Sequence, residues 1–227
     1  MYRGERVGAV IAAAGQSERM GGVDKMMALI GGEPVLARVV SVFQGSALID
    51  RISLVVSEGN LAEAERLARD GGWSKVSVLP GGRRRQASVI AGLERLADCA
   101  WAVIHDGARP LVSERLIRRG LEAAEETGAA VAAIPVIDTI KLVGADRLVR
   151  ETPPRECLWA VQTPQVFRYG LITEAYRRLD GKVTDDAAAV ERLGGRVRLY
   201  PGAYDNIKIT APLDLEIAEV LWRRHGE

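Results

Sequence analysis

Five short runs of almost entirely apolar residues constrain the fold more than any other feature of the chain. They are residues 7–13, 51–56, 75–79, 101–105 and 129–135. The segments between them carry helical periodicity and helix start signals, and they are residues 34–43, 60–70, 85–96 and 113–126. Strands that lack polar alternation have to be covered on both faces. The pattern therefore predicts an α/β fold with a parallel, doubly wound sheet between layers of helices.

The pattern changes after Pro135. Residues 138–143 and 147–151 alternate apolar with polar side chains around a Gly144-Ala145-Asp146 turn, which predicts a hairpin. Two interpretations stay open, a projecting arm that packs on a second copy of the chain and a surface hairpin on the monomer. The rest of the chain is predicted to contain a strand at 158–161, a helix near 170–179, a helix from Thr184, a strand at 196–200, a short segment at 206–209 and a helix at 212–223. No linker or repeat is evident, so we expect residues 1–227 to form one domain, with a hairpin arm at about 137–157.

The composition is that of an ordinary soluble globule, with 48% hydrophobic and 27% charged residues. A net charge of +1 predicts no surface field strong enough for general nucleic-acid binding, so no nucleic-acid partner is expected. Cys99 and Cys157 lie outside any CxxC motif, and with His105 and His225 they have no usual zinc spacing. The apolar run at 7–14 is too short for a signal peptide, and no run is long enough for a membrane span. We therefore expect a cytoplasmic protein.

A candidate phosphate-binding loop begins where the first apolar run ends. Residues 8–22 form an apolar run that breaks into a loop of small residues, with the cations of Arg19 and Lys25 close by. Loop amides and small side chains allow a polyphosphate to lie against backbone, while the two cations neutralise it. The spacing fits neither the Walker pattern, which Met20 and Gly21 interrupt, nor the dinucleotide pattern, so a P-loop NTPase and a dinucleotide-dependent oxidoreductase are disfavoured. A plain strand-to-helix turn with surface charges is the alternative.

Two later loops follow strands at the same expected sheet edge, where ligands bind in open α/β sheets. After the third strand, Gly81-Gly82-Arg83-Arg84-Arg85-Gln86-Ala87-Ser88 combines two glycines, which permit close approach of a flat ligand, with the unpaired amides of a helix start. A solvated basic helix face is the alternative there. After the fourth strand, Asp106 stands where Mg²⁺ would take a carboxylate in addition to substrate phosphates. Asp106 could instead cap a turn and pair with Arg109.

Three further segments are more polar than a plain scaffold requires. They are Arg155 ahead of Leu158-Trp159, Thr163-Pro164-Gln165, and Asp205-Asn206-Ile207-Lys208. Thr184-Asp185-Asp186 has a sufficient structural explanation, because a Thr N-cap followed by acidic first-turn residues stabilises a helix by itself. The chain has only two histidines, which fits a reaction that needs no Ser/His/Asp triad.

Together these segments resemble the 2-C-methyl-D-erythritol 4-phosphate cytidylyltransferases of the non-mevalonate isoprenoid pathway. The matching stretches are AAAGQSERMG, DK at 24–25, GGRRRQASVIAGL, HDGARP, PVIDTIK, TPQVF, TDDAAAVE and DNIKIT. They occur in the family's order between residue 7 and about residue 215. Each motif alone is weak, whereas the ordered set is highly specific.

The resemblance implies a Rossmann-like nucleotidyltransferase fold, a homodimer joined through its hairpin arms, and cytidylyl transfer from CTP to a sugar-alcohol phosphate, methylerythritol phosphate. It implies that Arg19 and Lys25 stabilise the transition state and that Arg155 and Lys208 position the acceptor phosphate. Asp106 would hold Mg²⁺, with Mn²⁺ and Co²⁺ as alternatives. The nucleotide site would consist of Ala13, Ala14, Gly15, Gly82, Arg85 and Ser88. The acceptor site would consist of Arg109, Thr139, Thr163, Thr184 and Asp205, partly from the partner chain.

The chain departs from the family pattern at two places. It has Asp24-Lys25-Met26 where Pro-Lys-Gln is frequent, and HDGARP where HDAARP is frequent. Lys25 is retained, so the chemistry stands while the conformation near Asp24 is open. The nearest rival is a ribitol 5-phosphate cytidylyltransferase, disfavoured by the Ala-Ala-Ala-Gly loop and by HDGARP. A non-catalytic nucleotide or sugar-phosphate sensor on the same fold is the second rival, and it would be expected to have lost one of the charged residues that this chain keeps.

Overall fold

The structure, a computed structural model, describes residues 1–15, 20–21 and 24–225, without the side chain of His225. Its strands are β1 (Val7–Ala13), β2 (Leu29–Ile30), β3 (Glu33–Pro34), β4 (Arg51–Val56), β5 (Val76–Pro80), β6 (Trp101–Asp106), β7 (Ala129–Pro135), β8 (Leu142–Val143), β9 (Val149–Glu151), β10 (Trp159–Arg168) and β11 (Arg198–Pro201). Its helices are α1 (Val35–Gly45), α2 (Leu61–Asp70), α3 (Arg85–Glu94), α4 (Glu114–Ala124), α5 (Tyr169–Arg178), α6 (Asp186–Arg192) and α7 (Pro212–His225). The five apolar runs are all strands, and the segments of helical periodicity between them are all helices.

A seven-stranded sheet in the order β11-β7-β10-β6-β1-β4-β5 forms the centre of the molecule. β1 pairs in parallel with β4 and β6, β4 with β5, and β11 with β7. Only β10 within this sheet runs antiparallel to its neighbours, β6 and β7. The predicted mostly parallel sheet is therefore confirmed.

Helices cover both faces of the sheet, which explains why its strands lack polar alternation. Along β1, Ala9 and Ile11 belong to a core with residues of α1, α2 and α4, such as Phe43. Val10 points the other way, into a second core with residues of α3, α5 and α6, such as Val89. Successive side chains of a strand face opposite sides of the sheet, so both faces of β1 have to be apolar.

The strand β10 is longer than the sequence predicts. The prediction of a strand limited to 158–161, followed by a separate polar segment, was wrong, because Gln162, Thr163 and Gln165 are buried within β10. Pro164 argues against a central strand, since it has no N–H for the ladder. The sheet accommodates Pro164 with a register shift between Val161 and Gln165, and the Thr163–Pro164 peptide is cis.

A short antiparallel hairpin forms where the sequence places one. Its strands β8 and β9 are shorter than the predicted segments 138–143 and 147–151, and their pairing shifts register once. Large apolar side chains on and beside the hairpin are exposed, among them Ile137 and Leu148 at 66% and 68%. Contact of this hairpin with a second chain stays a prediction.

Side-chain caps begin two of the helices, and one of them differs from the prediction. Ser113 caps α4 by accepting a hydrogen bond from the Leu116 amide. The cap of α6 is Asp185 and not Thr184, because the Asp185 carboxylate accepts from the Ala188 amide at 3.1 Å. None of the helices in the described part of the chain is both long enough and apolar enough to cross a membrane.

Phe43 provides a test of the core below the loops of the sheet edge. Its side chain has no exposed surface, and its ring centroid lies 5.3 Å from that of His105. We expect Phe43→Ala to lower the free energy of unfolding by about 3–5 kcal/mol, because it removes a buried ring and leaves a cavity. The control Leu213→Ala, at a side chain that is 62% exposed, should change it by less than about 0.5 kcal/mol. Urea unfolding measures both, and equal effects would contradict this account of the core.

Candidate active site

Three loops at the carboxyl ends of β1, β5 and β6 form the floor of the site. The loops after β1 and β5 touch at Gly81, where an added Cβ would lie 2.1 Å from the Ala14 Cβ. Only glycine permits this approach, and it draws the β5 loop over the end of β1. The Gly82 amide then donates to the Ser88 hydroxyl at 3.1 Å, which ties the loop to the start of α3.

The first cavity, which we call the glycine-loop cavity, has a volume of about 340 Å³. It is lined by Ala12, Ala13, Ala14, Gly15, Lys25, Met26, Gly82, Arg83, Arg84, Arg85, Ser88, Asp106, Ala108 and Lys208. All six predicted nucleotide-binding residues are among them. The lining has five cationic side chains and one carboxylate, so the cavity suits a polyanion.

Asp24 fixes the position of Lys25, which lines the glycine-loop cavity. The Asp24 carboxylate accepts from the Met26 amide at 2.8 Å and from the Asn60 side chain at 2.6 Å. The sequence left the conformation near Asp24 open, because the chain departs from the family pattern there. The structure shows an Asx-type turn at this position. Arg19, the other cation predicted for this loop, lies outside the described residues.

The second cavity, which we call the β10 cavity, has a volume of about 540 Å³. It is lined by Arg85, Asp106, Arg109, Val131, Trp159, Val161, Gln162, Thr163, Gln165, Thr184, Asp185, Ala187, Ala188, Glu191, Leu199 and Lys208. Three predicted acceptor-site residues are among them, namely Arg109, Thr163 and Thr184. Arg85, Asp106 and Lys208 line both cavities, so the two spaces meet at this group.

Asp106 is the centre of the charged group that the cavities share. Its Oδ1 accepts from Arg85 Nε at 3.0 Å, and its Oδ2 lies 2.8 Å from Lys208 Nζ and 3.7 Å from Arg109 Nε. Burial favours the neutral acid, but Arg85 and Lys208 outweigh it and hold the pKa of the carboxyl well below its usual value. Asp106 is therefore a fixed negative charge within a positive site.

A buried hydrogen-bonded chain supports the backbone of Asp106. The Asp106 amide donates to Thr163 Oγ1, which lies 3.0 Å from His105 Nδ1. The other ring nitrogen of His105 lies 3.2 Å from the Arg109 carbonyl oxygen, which can only accept, so this nitrogen carries the proton. Burial lowers the pKa of His105 to about 4, which keeps the ring neutral. The Thr163 hydroxyl is thus engaged by the fold, and its predicted contact with the acceptor stays a prediction.

Arg109 is held almost entirely below the surface of the β10 cavity. Its Nη1 donates to the Asn206 carbonyl at 2.7 Å, and Asn206 is itself fully buried. Among the described residues its Nε has no hydrogen-bond partner, although Asp106 Oδ2 lies 3.7 Å from it. Burial lowers the pKa of this guanidinium, because Asp106 compensates it only in part. An anion bound in the cavity would supply the missing compensation.

The other three predicted site residues in the described part of the chain line neither cavity of their own chain. Thr139 and Arg155 lie in exposed chain around the hairpin, and the Arg155 guanidinium donates to the Ile137 carbonyl at 2.8 Å. Asp205 is half-buried next to the 206–209 segment and lines neither cavity. The roles of these three residues stay predictions.

The sequence interpretation missed one residue that contacts the site, Asp186. It was assigned to the first turn of a helix, whereas its side chain is fully buried and accepts from Arg85 Nη2 at 2.7 Å. A signal was present, because Asp186 shares one helix face with the apolar residues Ala189 and Val190. A carboxylate in the apolar stripe of a helix indicates an inward-facing ionic partner.

Comparisons with known proteins agree on one family. The family described as IspD: 2-C-methyl-D-erythritol 4-phosphate cytidylyltransferase matches residues 7–224. A 2-C-methyl-D-erythritol 4-phosphate cytidylyltransferase of Dehalococcoides mccartyi is 54% identical over 225 residues, which cover 99% of this chain and 99% of the relative.

Solved structures of similar proteins have the same fold. A 4-diphosphocytidyl-2C-methyl-D-erythritol synthase from Anaerococcus prevotii matches with a TM-score of 0.87 at 28% identity, over 97% of each chain. A 2-C-methyl-D-erythritol 4-phosphate cytidylyltransferase from Thermus thermophilus matches with a TM-score of 0.78 at 35% identity, over 95% of this chain and 98% of the other. With the family match over nearly its whole length, the chain belongs to the 2-C-methyl-D-erythritol 4-phosphate cytidylyltransferase family.

Proposed function

We propose that the two cavities carry out the reaction of this family, in which CTP and 2-C-methyl-D-erythritol 4-phosphate give 4-diphosphocytidyl-2-C-methyl-D-erythritol and pyrophosphate. One observation carries the proposal: a cavity with five cations and one carboxylate adjoins a second cavity through Arg85, Asp106 and Lys208. The first suits the triphosphate of a nucleotide. The second has three cationic and three acidic side chains together with apolar walls, which suits a small acceptor with a single phosphate.

The chemistry needs little beyond placement and fixed charge. The acceptor phosphate is already an anionic nucleophile, so no buried base has to remove a proton from it. The obstacle is the mutual repulsion of two phosphate groups and the charge that develops on the α-phosphate of CTP. Lys25 from the glycine-loop side and Lys208 between the cavities would neutralise that charge, and pyrophosphate would leave along the cationic lining.

The donor set around Asp106 fits Mg²⁺ in one specific way. No group of three or more His, Cys, Asp or Glu side chains gathers within the described residues, so a metal held by protein ligands alone does not fit. Mg²⁺ usually takes one or two carboxylates and completes its coordination with substrate phosphates and water. Asp106 would hold the ion, and the ion would neutralise part of the triphosphate charge.

We further propose that the active form is a homodimer in which the hairpin of one chain reaches the β10 cavity of the other. The exposed apolar residues on and around the hairpin support this, because a second chain would cover them. They include Ile137, Leu142, Val143, Leu148, Val149, Trp159 and Val161. A crossing hairpin would also bring Arg155 to a cavity that it does not line within its own chain.

Two broader expectations also remain proposals. One is that residues 1–227 form a single nucleotidyltransferase domain, which the position of both cavities on one sheet supports. The other is a cytoplasmic location, which is consistent with the free thiols of Cys99 and Cys157.

Pyrophosphate release tests the function directly. We expect release with CTP and methylerythritol phosphate, and much slower release when ribitol phosphate replaces the acceptor or another nucleoside triphosphate replaces CTP. Lys25→Ala should lower kcat by a factor on the order of 10²–10³ with folding intact, because it removes a transition-state cation. The exposed Lys182, which lines neither cavity, gives the matched control Lys182→Ala.

The outcomes separate the hypotheses. Faster release with ribitol phosphate would identify the rival cytidylyltransferase, and CTP binding without any release would identify a sensor. Wild-type turnover by a folded Lys25→Ala variant would remove Lys25 from the mechanism.

The Mg²⁺ requirement tests the role of Asp106. Chelation should stop the reaction, and added Mg²⁺ should restore it. Asp106→Asn keeps the shape of the side chain and removes its charge, so we expect the Mg²⁺ concentration for half-maximal rate to rise about tenfold or more. Rates measured across a magnesium titration give this value, with Asp180→Asn at an exposed carboxylate as control. An unchanged titration curve for Asp106→Asn would mean that the ion binds elsewhere.

Subunit mixing tests the crossing hairpin. Lys25→Ala and Arg155→Ala chains should each be weakly active alone. If Arg155 acts in the partner's site, each mixed dimer contains one intact site, and random mixing should restore about a quarter of the wild-type rate. No recovery, with mixed dimers demonstrated by differential tags, would place both residues in the site of a single chain.

A further inference from the structure

A fully buried carboxylate lies directly behind the shared charged group, outside both cavities. Asp186, the first residue of α6, accepts from the Tyr176 hydroxyl of α5 through Oδ1 and from Arg85 Nη2 through Oδ2. Asp186 is 0% exposed and Tyr176 is 8% exposed. Neither side chain lines the glycine-loop cavity or the β10 cavity, so neither would contact a substrate directly; the side-chain route to both cavities runs through Arg85.

The scaffold does not by itself explain a carboxylate at this position. Ionised groups are costly to bury, and apolar side chains of similar volume are commonly as stable in their place. Helix α6 is already capped by Asp185, whose carboxylate also accepts from the Gln165 side chain at 2.8 Å. The ion pair with Arg85 is therefore the interaction that accounts for the buried Asp186 carboxylate.

Arg85 occupies the space between two carboxylates that come from different elements. Its Nη2 bonds to Asp186 of α6, and its Nε bonds to Asp106 Oδ1 at the end of β6, at 3.0 Å. A guanidinium is planar and rigid, so fixing it at Nη2 also orients its Nε–H. Burial opposes the charge of Arg85, but Asp186 and Asp106 outweigh it and raise the pKa of the guanidinium.

The Tyr176 hydroxyl is a hydrogen-bond donor to Asp186 that does not lose its proton. Burial raises the pKa of its hydroxyl, and the adjacent Asp186 carboxylate raises it further. The hydroxyl keeps its proton and occupies Asp186 Oδ1, which leaves Oδ2 for Arg85. The chain of contacts thus runs from α5 through α6 and α3 to the group that both cavities share.

We propose that Tyr176 and Asp186 are positioning residues for cytidylyl transfer, which hold Arg85 so that it fixes the Asp106 carboxylate between the nucleotide and the acceptor. This inference rests on the proposed function for its kinetic readout. Because they act through Arg85, Tyr176 and Asp186 should affect the alignment of the two substrates more than the affinity for either one.

A matched pair of tyrosines separates positioning from stability. Tyr2 is also 8% exposed, and its hydroxyl also bonds to a carboxylate, that of Glu125, away from both cavities. Tyr176→Phe and Tyr2→Phe should both lower the urea midpoint, Tyr176→Phe by more, because Asp186 is 0% exposed whereas the Glu125 side chain is 32% exposed. The kcat values are therefore compared under conditions in which both variants are folded. We expect kcat to fall about tenfold for Tyr176→Phe, while its KM values and the kcat of Tyr2→Phe stay within about twofold of wild type. Equal kcat in the two variants would overturn the proposal.

A double-mutant cycle then tests the route through Arg85. In an Arg85→Ala background, Tyr176→Phe should cause no further loss of kcat, because the group that it orients is gone. Independent, multiplicative losses would show that Tyr176 acts by another route and would overturn the proposal.

A measurement on the resting enzyme keeps the inference separate from the proposed function. We expect hydrogen exchange at Arg85 Nε, followed by NMR, to be several-fold faster in Tyr176→Phe than in wild type or Tyr2→Phe. Unchanged exchange would overturn the proposal even if kcat falls. If wild-type protein releases no pyrophosphate with either acceptor, the proposed function fails, and the exchange rates still decide whether Tyr176 orients Arg85.

Discussion

The site depends on one buried carboxylate that is surrounded by positive charge. Asp106 reaches Arg85 of α3, Arg109 of its own loop, and Lys208 of the segment before α7. Removing a carboxylate from water is unfavourable, and this position is stable because cations from three parts of the chain converge on it. The same convergence leaves the site with more positive than negative charge, and a site of that kind attracts phosphates. Folding and the proposed binding of phosphates therefore rely on the same electrostatic arrangement.

The sheet topology explains why these charges converge. β6 ends at Asp106 between β1 and β10, so its loop faces the glycine-loop cavity on one side and the β10 cavity on the other. The antiparallel β10 contributes Thr163, whose hydroxyl supports the Asp106 backbone. Because β10 runs antiparallel to β6, its buried Thr163-Pro164-Gln165 segment lies beside the site. If β10 ran parallel to β6, its carboxyl end would lie there instead. The single reversal of strand direction thus supplies a wall of the β10 cavity and support for Asp106, which lies between the two cavities.

The sequence predicts the scaffold well because that part of the fold follows from local patterns. The five apolar runs became the parallel strands, and the loops after three of them became the floor of the site. The errors arose where tertiary context decided the outcome. Pro164 argued against a central strand, but a register shift allowed β10 to continue through it. Thr184 and Asp185 are both good caps by type, and the contact with Gln165 favoured Asp185, which a local pattern cannot show.

The charged group around Asp106 could be predicted only in part. Asp106, Arg109 and Lys208 were recognisable from motifs, whereas the second ionic partner of Arg85 was not, because Asp186 lies 101 residues away in sequence. The two cations closest to Asp106 also differ in kind. Arg85 is held at two nitrogens of its guanidinium by two carboxylates, while the Lys208 side chain is 40% exposed and pairs with Asp106. Because the carboxylate of this pair is only 10% exposed and the ammonium is 40% exposed, the pair lies between a surface ion pair and a buried one. In the proposed reaction, Lys208 is therefore the cation that an incoming phosphate can reach from solvent, while Arg85 keeps the Asp106 carboxylate in place.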